Sequence, residues 1–133
     1  MGRMRVLLAE DHGGMQAMLA MLLQETFDIC ATISNGETVL CEVARTHPDA
    51  IVLDVSLPGR SGLLLLPELR TCHPELAIVM FTTHSDPLYR REAMLRGADA
   101  FVLKQDAVAE LCGTLHRSRR ERIPRDHTQL LSA

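Results

Sequence analysis

Lysine is almost missing from this chain: Lys104 stands alone beside thirteen arginines in 133 residues. Long apolar runs are missing as well. No stretch approaches the roughly 20 residues that a membrane span needs, so no transmembrane helix is expected. Met1-Gly2-Arg3-Met4-Arg5 run straight into an apolar segment without a signal-peptide pattern, and a cytoplasmic location is the expectation. Cys30, Cys41, Cys72 and Cys112 include no Cys-x-x-Cys pair and have no histidine at ligand spacing. That argues against a zinc site, and each cysteine is expected to be a buried, reduced thiol. The Arg-rich stretch from Arg117 to Arg125 contains no aromatic residue, which disfavours a surface for single-stranded nucleic acid.

What is present is an ordinary globular balance, 47% hydrophobic and 23% charged, and enough chain for one domain. The net charge of −3 hides an asymmetry. Residues 117–133 hold five arginines against Glu121 and Asp126, so nine cationic residues face fifteen acidic ones in the rest. A body this acidic is not expected to bind nucleic acid by itself.

Short apolar runs alternate with helical patterns along the chain. Arg5-Val6-Leu7-Leu8-Ala9 ends on Glu10-Asp11, and Ala50-Ile51-Val52-Leu53 ends on Asp54 before a Pro58-Gly59 turn. Such runs read as strands buried on both faces. Ile29–Ile33, Ala77–Phe81 and Ala100–Leu103 supply three more. Between them, Met15, Met18, Leu19 and Leu22 recur at helical spacing, and Met21 is expected in or near the core. Ser34-Asn35-Gly36-Glu37 fits a capping box for a second helix carrying Val39, Leu40, Val43 and Ala44. Gly62 opens a third with Leu63, Leu66 and Leu69, in which Pro67 is tolerable only near the first turn. Asp86-Pro87 and Gly97 bound the fourth. Asp106 is placed to cap the fifth, whose expected apolar positions are Val108, Leu111, Cys112 and Leu115.

Five such units predict an α/β, flavodoxin-like fold. Its expected form is a five-stranded, doubly wound parallel sheet of order 2-1-3-4-5 with helices on both faces. In that order the ligand crevice lies between the tips of strands one and three, the tips that carry Glu10, Asp11 and Asp54. Thr82 and Lys104 end strands four and five on the same edge. Three carboxylates suit Mg²⁺, which takes few protein ligands. A cation, an ammonium and a hydroxyl around one carboxylate are the parts for phosphoryl transfer onto it. Taken singly, each residue has a plainer reading: Asp54 as a turn or cap residue, Phe101 as core, His12 and His84 as hydrogen-bonded or solvated.

Together, Glu10-Asp11-His12, Leu53 to Gly62, Phe81-Thr82-Thr83-His84 and Gly97 to Lys104 resemble a bacterial two-component response-regulator receiver domain over residues 4–118. The Asp11-His12 pair and the Leu-Pro-Gly-x-Ser-Gly run resemble the NarL/FixJ-like subgroup, whose members usually carry a C-terminal helix-turn-helix. The resemblance implies Asp54 as phosphoacceptor, Asp11 as direct Mg²⁺ ligand, Glu10 as outer-shell ligand and Ser56 as ligand through its carbonyl. It implies that Lys104 pairs with the phosphoryl group, that Thr82 hydrogen-bonds it, and that Phe101 changes rotamer when Thr82 moves. Ser56 and His84 would bear on the lifetime of the aspartyl phosphate. Gly13-Gly14, where the family often has a proline and a bulkier residue, would loosen the metal-side loop. Thr83 would narrow access, and Gln105 replaces a proline often preceded by a cis bond.

The expected division is 1–118 as the receiver and 119–133 as an Arg-rich tail or linker. The expected function is acceptance of a phosphoryl group from a sensor histidine kinase or phosphotransfer protein, which switches an interaction surface. The domain would be no enzyme beyond its own phosphorylation and dephosphorylation. A homodimer through helix four, strand five and helix five is an expected use of the fold, and DNA would be reached only through a further C-terminal domain. The alternatives are a receiver fragment of a LuxR/NarL-type transcription regulator and a receiver-like module that takes no phosphate. A haloacid-dehalogenase-type phosphatase would want an acid two residues after Asp54, where Ser56 stands.

Overall fold

The computed structural model describes residues 2–122. Its elements are β1 (Arg5–Ala9), α1 (Gly13–Leu23), β2 (Asp28–Ile33), α2 (Val39–Thr46), β3 (Ala50–Asp54), α3 (Gly62–Cys72), β4 (Ala77–Thr82), α4 (Pro87–Arg96), β5 (Ala100–Leu103) and α5 (Ala107–Arg122). All pairings are parallel, in the order β2-β1-β3-β4-β5. This is the expected doubly wound, flavodoxin-like sheet.

Strand alternation divides the core. Leu7, Ile51, Leu53, Ile78 and Met80 face α2, α3 and α4; Val6, Leu8, Val52, Val79 and Phe81 face α1 and α5. Every residue of β3 and β4 is buried, because helices cover both faces of the central strands. A strand buried on both faces delivers the residue at its tip to a fixed place, and that is how the fold positions Asp54.

Several local expectations are corrected. Asn35, rather than Ser34, caps the second helical unit: its side chain accepts from Glu37 N–H at 2.8 Å and opens a 3₁₀ turn, Gly36–Thr38, ahead of α2. Met21 is 73% exposed and Val108 75%, while Leu23 and Ala107 take the buried places. Ala44 is exposed on α2. Cys41 and Cys72 are exposed, and Cys30 and Cys112 are half-buried. A second 3₁₀ turn, Lys104–Asp106, leads into α5. No peptide bond among the described residues is cis, the one before Gln105 included. Pro67 lies in the second turn of α3. A proline there leaves the carbonyl four residues earlier without its helical donor, and Arg96 Nη1 donates to that Leu63 oxygen at 3.4 Å.

The abundance of arginine has a structural use at the N-terminal end of the sheet. Helix ends leave carbonyls unpaired, and a guanidinium offers five donors to satisfy them. Arg3 donates to the carbonyls of Gln24, Thr26 and Phe27 after α1. Arg5 donates to those of Thr46 and His47 at the end of α2. Arg70 reaches Leu76 O at 2.8 Å after α3 and Gly97 O at 2.8 Å after α4. It also pairs with Asp99 at 2.8 Å.

The boundary at 118/119 falls inside α5. Arg119 pairs with Asp49 at 3.2 Å and Arg122 with Asp99, so the start of the Arg-rich stretch is ion-paired to the body. The remainder of the proposed tail, with Pro124 and Arg125, lies outside the described residues.

Candidate functional site

Glu10 and Asp11 follow β1, Asp54 ends β3, Thr82 ends β4, and Lys104 follows β5. The parallel sheet brings these tips to one edge. Carboxylate oxygens of Glu10, Asp11 and Asp54 all lie within 4.8 Å of one another. Glu10 is fully buried and Asp54 is 2% exposed, while Asp11 faces solvent. Glu10 N–H donates to Ile33 O at 2.9 Å, which extends the backbone pairing of β1 with β2 to the residue that carries the first carboxylate.

Lys104 spans the two buried carboxylates, its Nζ lying 2.6 Å from Glu10 Oε1 and 3.1 Å from Asp54 Oδ2. It also lies 5.7 Å from the centre of the Phe81 ring. Asp54 Oδ1 accepts from the Ser56 N–H at 3.0 Å and the Ser56 hydroxyl at 3.4 Å. Ser61 Oγ and Gly62 N–H hold Val55 O at 3.1 and 3.0 Å, fixing the turn after β3. A Cβ on Gly62 would stand 2.2 Å from Asp54 O; only glycine lets α3 start this close to the acidic tip.

The electrostatics follow from burial and crowding. Burial and the neighbouring Asp54 push the Glu10 carboxyl up to about 7, against the opposite pull of Lys104. Burial also opposes ionisation of Asp54, but the adjacent Glu10 carboxyl, the hydrogen bond from the Ser56 N–H and the Lys104 charge outweigh it and hold Asp54 below its ordinary value. Two carboxylates this close titrate as a pair, with Glu10 raised and Asp54 lowered. Burial opposes the charge on Lys104, yet its two carboxylate partners raise it above its ordinary value.

These residues fit a divalent cation. Glu10 Oε2 is the one buried side-chain oxygen without a hydrogen-bond partner among the described residues. One ammonium does not neutralise three carboxylates, and the donor set is all oxygen, the chemistry that Mg²⁺ takes.

Thr82 is fully buried, and its Oγ1 accepts from His84 N–H at 3.1 Å. Its side-chain hydrogen bond thus runs to the β4–α4 loop and not to Asp54. Phe101 is half-buried on β5 and borders the groove between β5 and α4. His12 Nδ1 caps α1 by accepting from Met15 N–H at 3.2 Å. His84 stacks on Tyr89 with ring centres 4.9 Å apart and planes at 8°. A Cβ on Gly13 would meet nothing within 4 Å, so the start of α1 beside Asp11 is open. Sequence reasoning did not find the Tyr89 partner of His84, since five residues across a loop and a helix start carry no fixed spacing. It also missed Gln16, whose side-chain amide donates to Glu10 O; a polar residue in the first turn of an apolar helix was the available signal.

The response regulator receiver domain family model matches residues 6–116. Oxygen regulatory protein NreC of Staphylococcus haemolyticus is 30% identical over 104 residues, covering 76% of this chain and 48% of that protein. Transcriptional regulatory protein CreB of Escherichia coli is 33% identical over 112 residues, covering 84% of this chain and 49% of CreB. The chain thus spans about half the length of these curated relatives. A LuxR-family DNA-binding response regulator from Staphylococcus aureus superposes with a TM-score of 0.81 at 28% identity, covering 87% of this chain and 98% of that one. Chemotaxis protein CheY4 of Vibrio cholerae superposes with a TM-score of 0.79 over 88% of this chain and 99% of its own. With a family model spanning the whole sheet and the acidic edge at its centre, the chain belongs to the response regulator receiver domain family.

Proposed function

We propose that Asp54 is the phosphoacceptor of a signalling switch, charged by a sensor histidine kinase or a phosphotransfer protein in the cytoplasm. The observation that carries the reading is the pairing at Asp54. A buried carboxylate held ionised lies 3.1 Å from an ammonium and beside two further carboxylates. An Asp54 oxygen attacks phosphorus in line, the P–N bond of a phosphohistidine breaks, and the imidazole nitrogen keeps its electron pair and takes a proton. Asp11 and Asp54 would hold Mg²⁺ directly, with the Ser56 carbonyl, and Glu10 would act from the outer shell. The bound cation supplies charge neutralisation of the phosphoryl oxygens. Lys104 follows the arriving charge, Thr82 donates its hydroxyl to it, and Phe101 responds on β5.

The receiver unit would comprise 1–118 plus the last turn of α5, with the rest of the Arg-rich tail, 123–133, as linker. The half-length match to NreC and CreB favours a second reading in which this chain is the receiver part of a NarL/FixJ-like transcription regulator, with DNA reached through a following domain. Dimerisation through the face of α4, β5 and α5 would be its output. No helix among the described residues is long and apolar enough to cross a membrane.

Acetyl phosphate with Mg²⁺ should add one phosphoryl mass to the protein, and Asp54→Asn should abolish the addition. Unchanged phosphorylation of Asp54→Asn would end the assignment.

A further inference from the structure

We infer that Tyr89 is a positioning residue that carries a change at Asp54 into α4 through the imidazole of His84; the inference rests on Asp54 as phosphoacceptor. The Thr82 hydroxyl is the link at one end. Its oxygen accepts from His84 N–H at 3.1 Å, so a phosphoryl oxygen that draws the Thr82 hydroxyl disturbs the backbone of His84. The His84 ring lies parallel to that of Tyr89, 4.9 Å away, and cannot turn without opening the stack or moving its partner. Tyr89 is half-buried and packs against the core beneath α2, α3 and α4.

The helix is built to respond at that end. Its C-terminal end is pinned: Ala93 is its one buried residue, Arg96 bonds Leu63 O, and Arg70 holds Gly97 O. Its N-terminal turn has little burial, with Leu88 71% exposed. Pro87 and Arg90 border a groove of about 350 Å³ whose other wall includes Phe101, Leu103 and Glu110. A helix fixed at one end and facing free volume at the other can pivot, and Tyr89 is its aromatic contact with the β4–α4 loop. The pivot would change the presentation of Leu88 and the groove beside Phe101.

Tyr89 is the only tyrosine, and the chain has no tryptophan, so tyrosine emission reports this position alone. Beryllofluoride with Mg²⁺ serves as the phosphoryl mimic. Emission should change in the wild type as the two rings shift against one another and Tyr89 moves with α4, and should stay unchanged in Asp54→Asn and in His84→Ala. Amide shifts at Glu10, Asp11 and Ser56 should appear in the wild type, Tyr89→Phe and Tyr89→Leu. Shifts over Leu88–Arg91 should persist in Tyr89→Phe, which keeps the stack, and vanish in Tyr89→Leu. Wild-type shifts over Leu88–Arg91 in Tyr89→Leu would overturn the inference, as would static emission while the crevice amides move. Silence at the crevice amides of the wild type would instead overturn the reading of Asp54, and the inference with it.

Discussion

Lys104 Nζ lies closer to Glu10 Oε1, at 2.6 Å, than to Asp54 Oδ2, at 3.1 Å. The ammonium is therefore divided between the two buried carboxylates, and an arriving phosphoryl group competes with Glu10 for it. An ammonium on a flexible stem can follow that charge, whereas a guanidinium is a wider planar fork. Lys104→Arg should fold, because the crevice has spare negative charge, and should still take a phosphoryl group with Mg²⁺. It should lose the amide shifts that reach Phe101, α4 and α5 on phosphorylation. Wild-type shifts in those elements would show that the lysine has no special role.

Asp11 is the solvent-facing member of the carboxylate trio. Removing its charge leaves a metal with one fewer anionic ligand, where few protein ligands exist. Asp11→Asn should weaken Mg²⁺ binding severalfold or more in a calorimetric titration. Without metal the same variant relieves repulsion between like charges, and its melting temperature should match or exceed that of the wild type.

Gly62 starts α3 against the backbone of Asp54, where an added Cβ would lie 2.2 Å from Asp54 O. Backbone cannot yield as a side-chain end can. Gly62→Ala should cost about 2 kcal/mol in urea unfolding, in the range of overpacked sites. Because the displaced atom belongs to the acceptor residue, phosphorylation by acetyl phosphate should slow as well. A stable Gly62→Ala with wild-type phosphorylation would show that the start of α3 shifts without disturbing Asp54.

Arg70 joins the ends of α3 and α4 through Leu76 O and Gly97 O and pairs with Asp99, which is also bonded by Arg122 and the Ile78 N–H. A lysine keeps the charge and loses the fork, stranding partly buried carbonyls. Arg70→Lys should destabilise the fold by about 2 kcal/mol, the scale of two lost hydrogen bonds. Phosphorylation should be unchanged, since this network lies at the opposite end of the strands from Asp54.

The strands, their order and the acidic edge were legible because each rests on a local rule. An apolar run bounded by turn residues is a buried strand, and the 2-1-3-4-5 order brings the first and third tips together. Asp86-Pro87 and Gly97 bounded α4 as expected, since caps are local chemistry: Asp86 accepts from Leu88 N–H at 2.9 Å, and Gly97 has a φ of 119°. Helical faces were less legible. Met21 and Val108 fit the apolar period yet face solvent, because their helices are covered on one side only and the period does not say how wide the covered stripe is.

The sequence by itself determined which residues reach the functional edge, because a strand's period and length leave its tip no alternative. Tertiary structure decided what those residues do to one another. Glu10 is pushed up to about 7 while Asp54 is held below its ordinary value, although both are strand-tip carboxylates, because Asp54 has the Glu10 carboxyl and the Ser56 N–H beside it as well as Lys104. The Thr82 hydroxyl is held by a loop amide, and His84 found Tyr89, only once the β4–α4 loop had folded back on its helix. The arginines close four helix ends through carbonyls up to 42 residues away in the chain. Contacts of that kind depend on where the chain returns in space, which composition and periodicity do not encode.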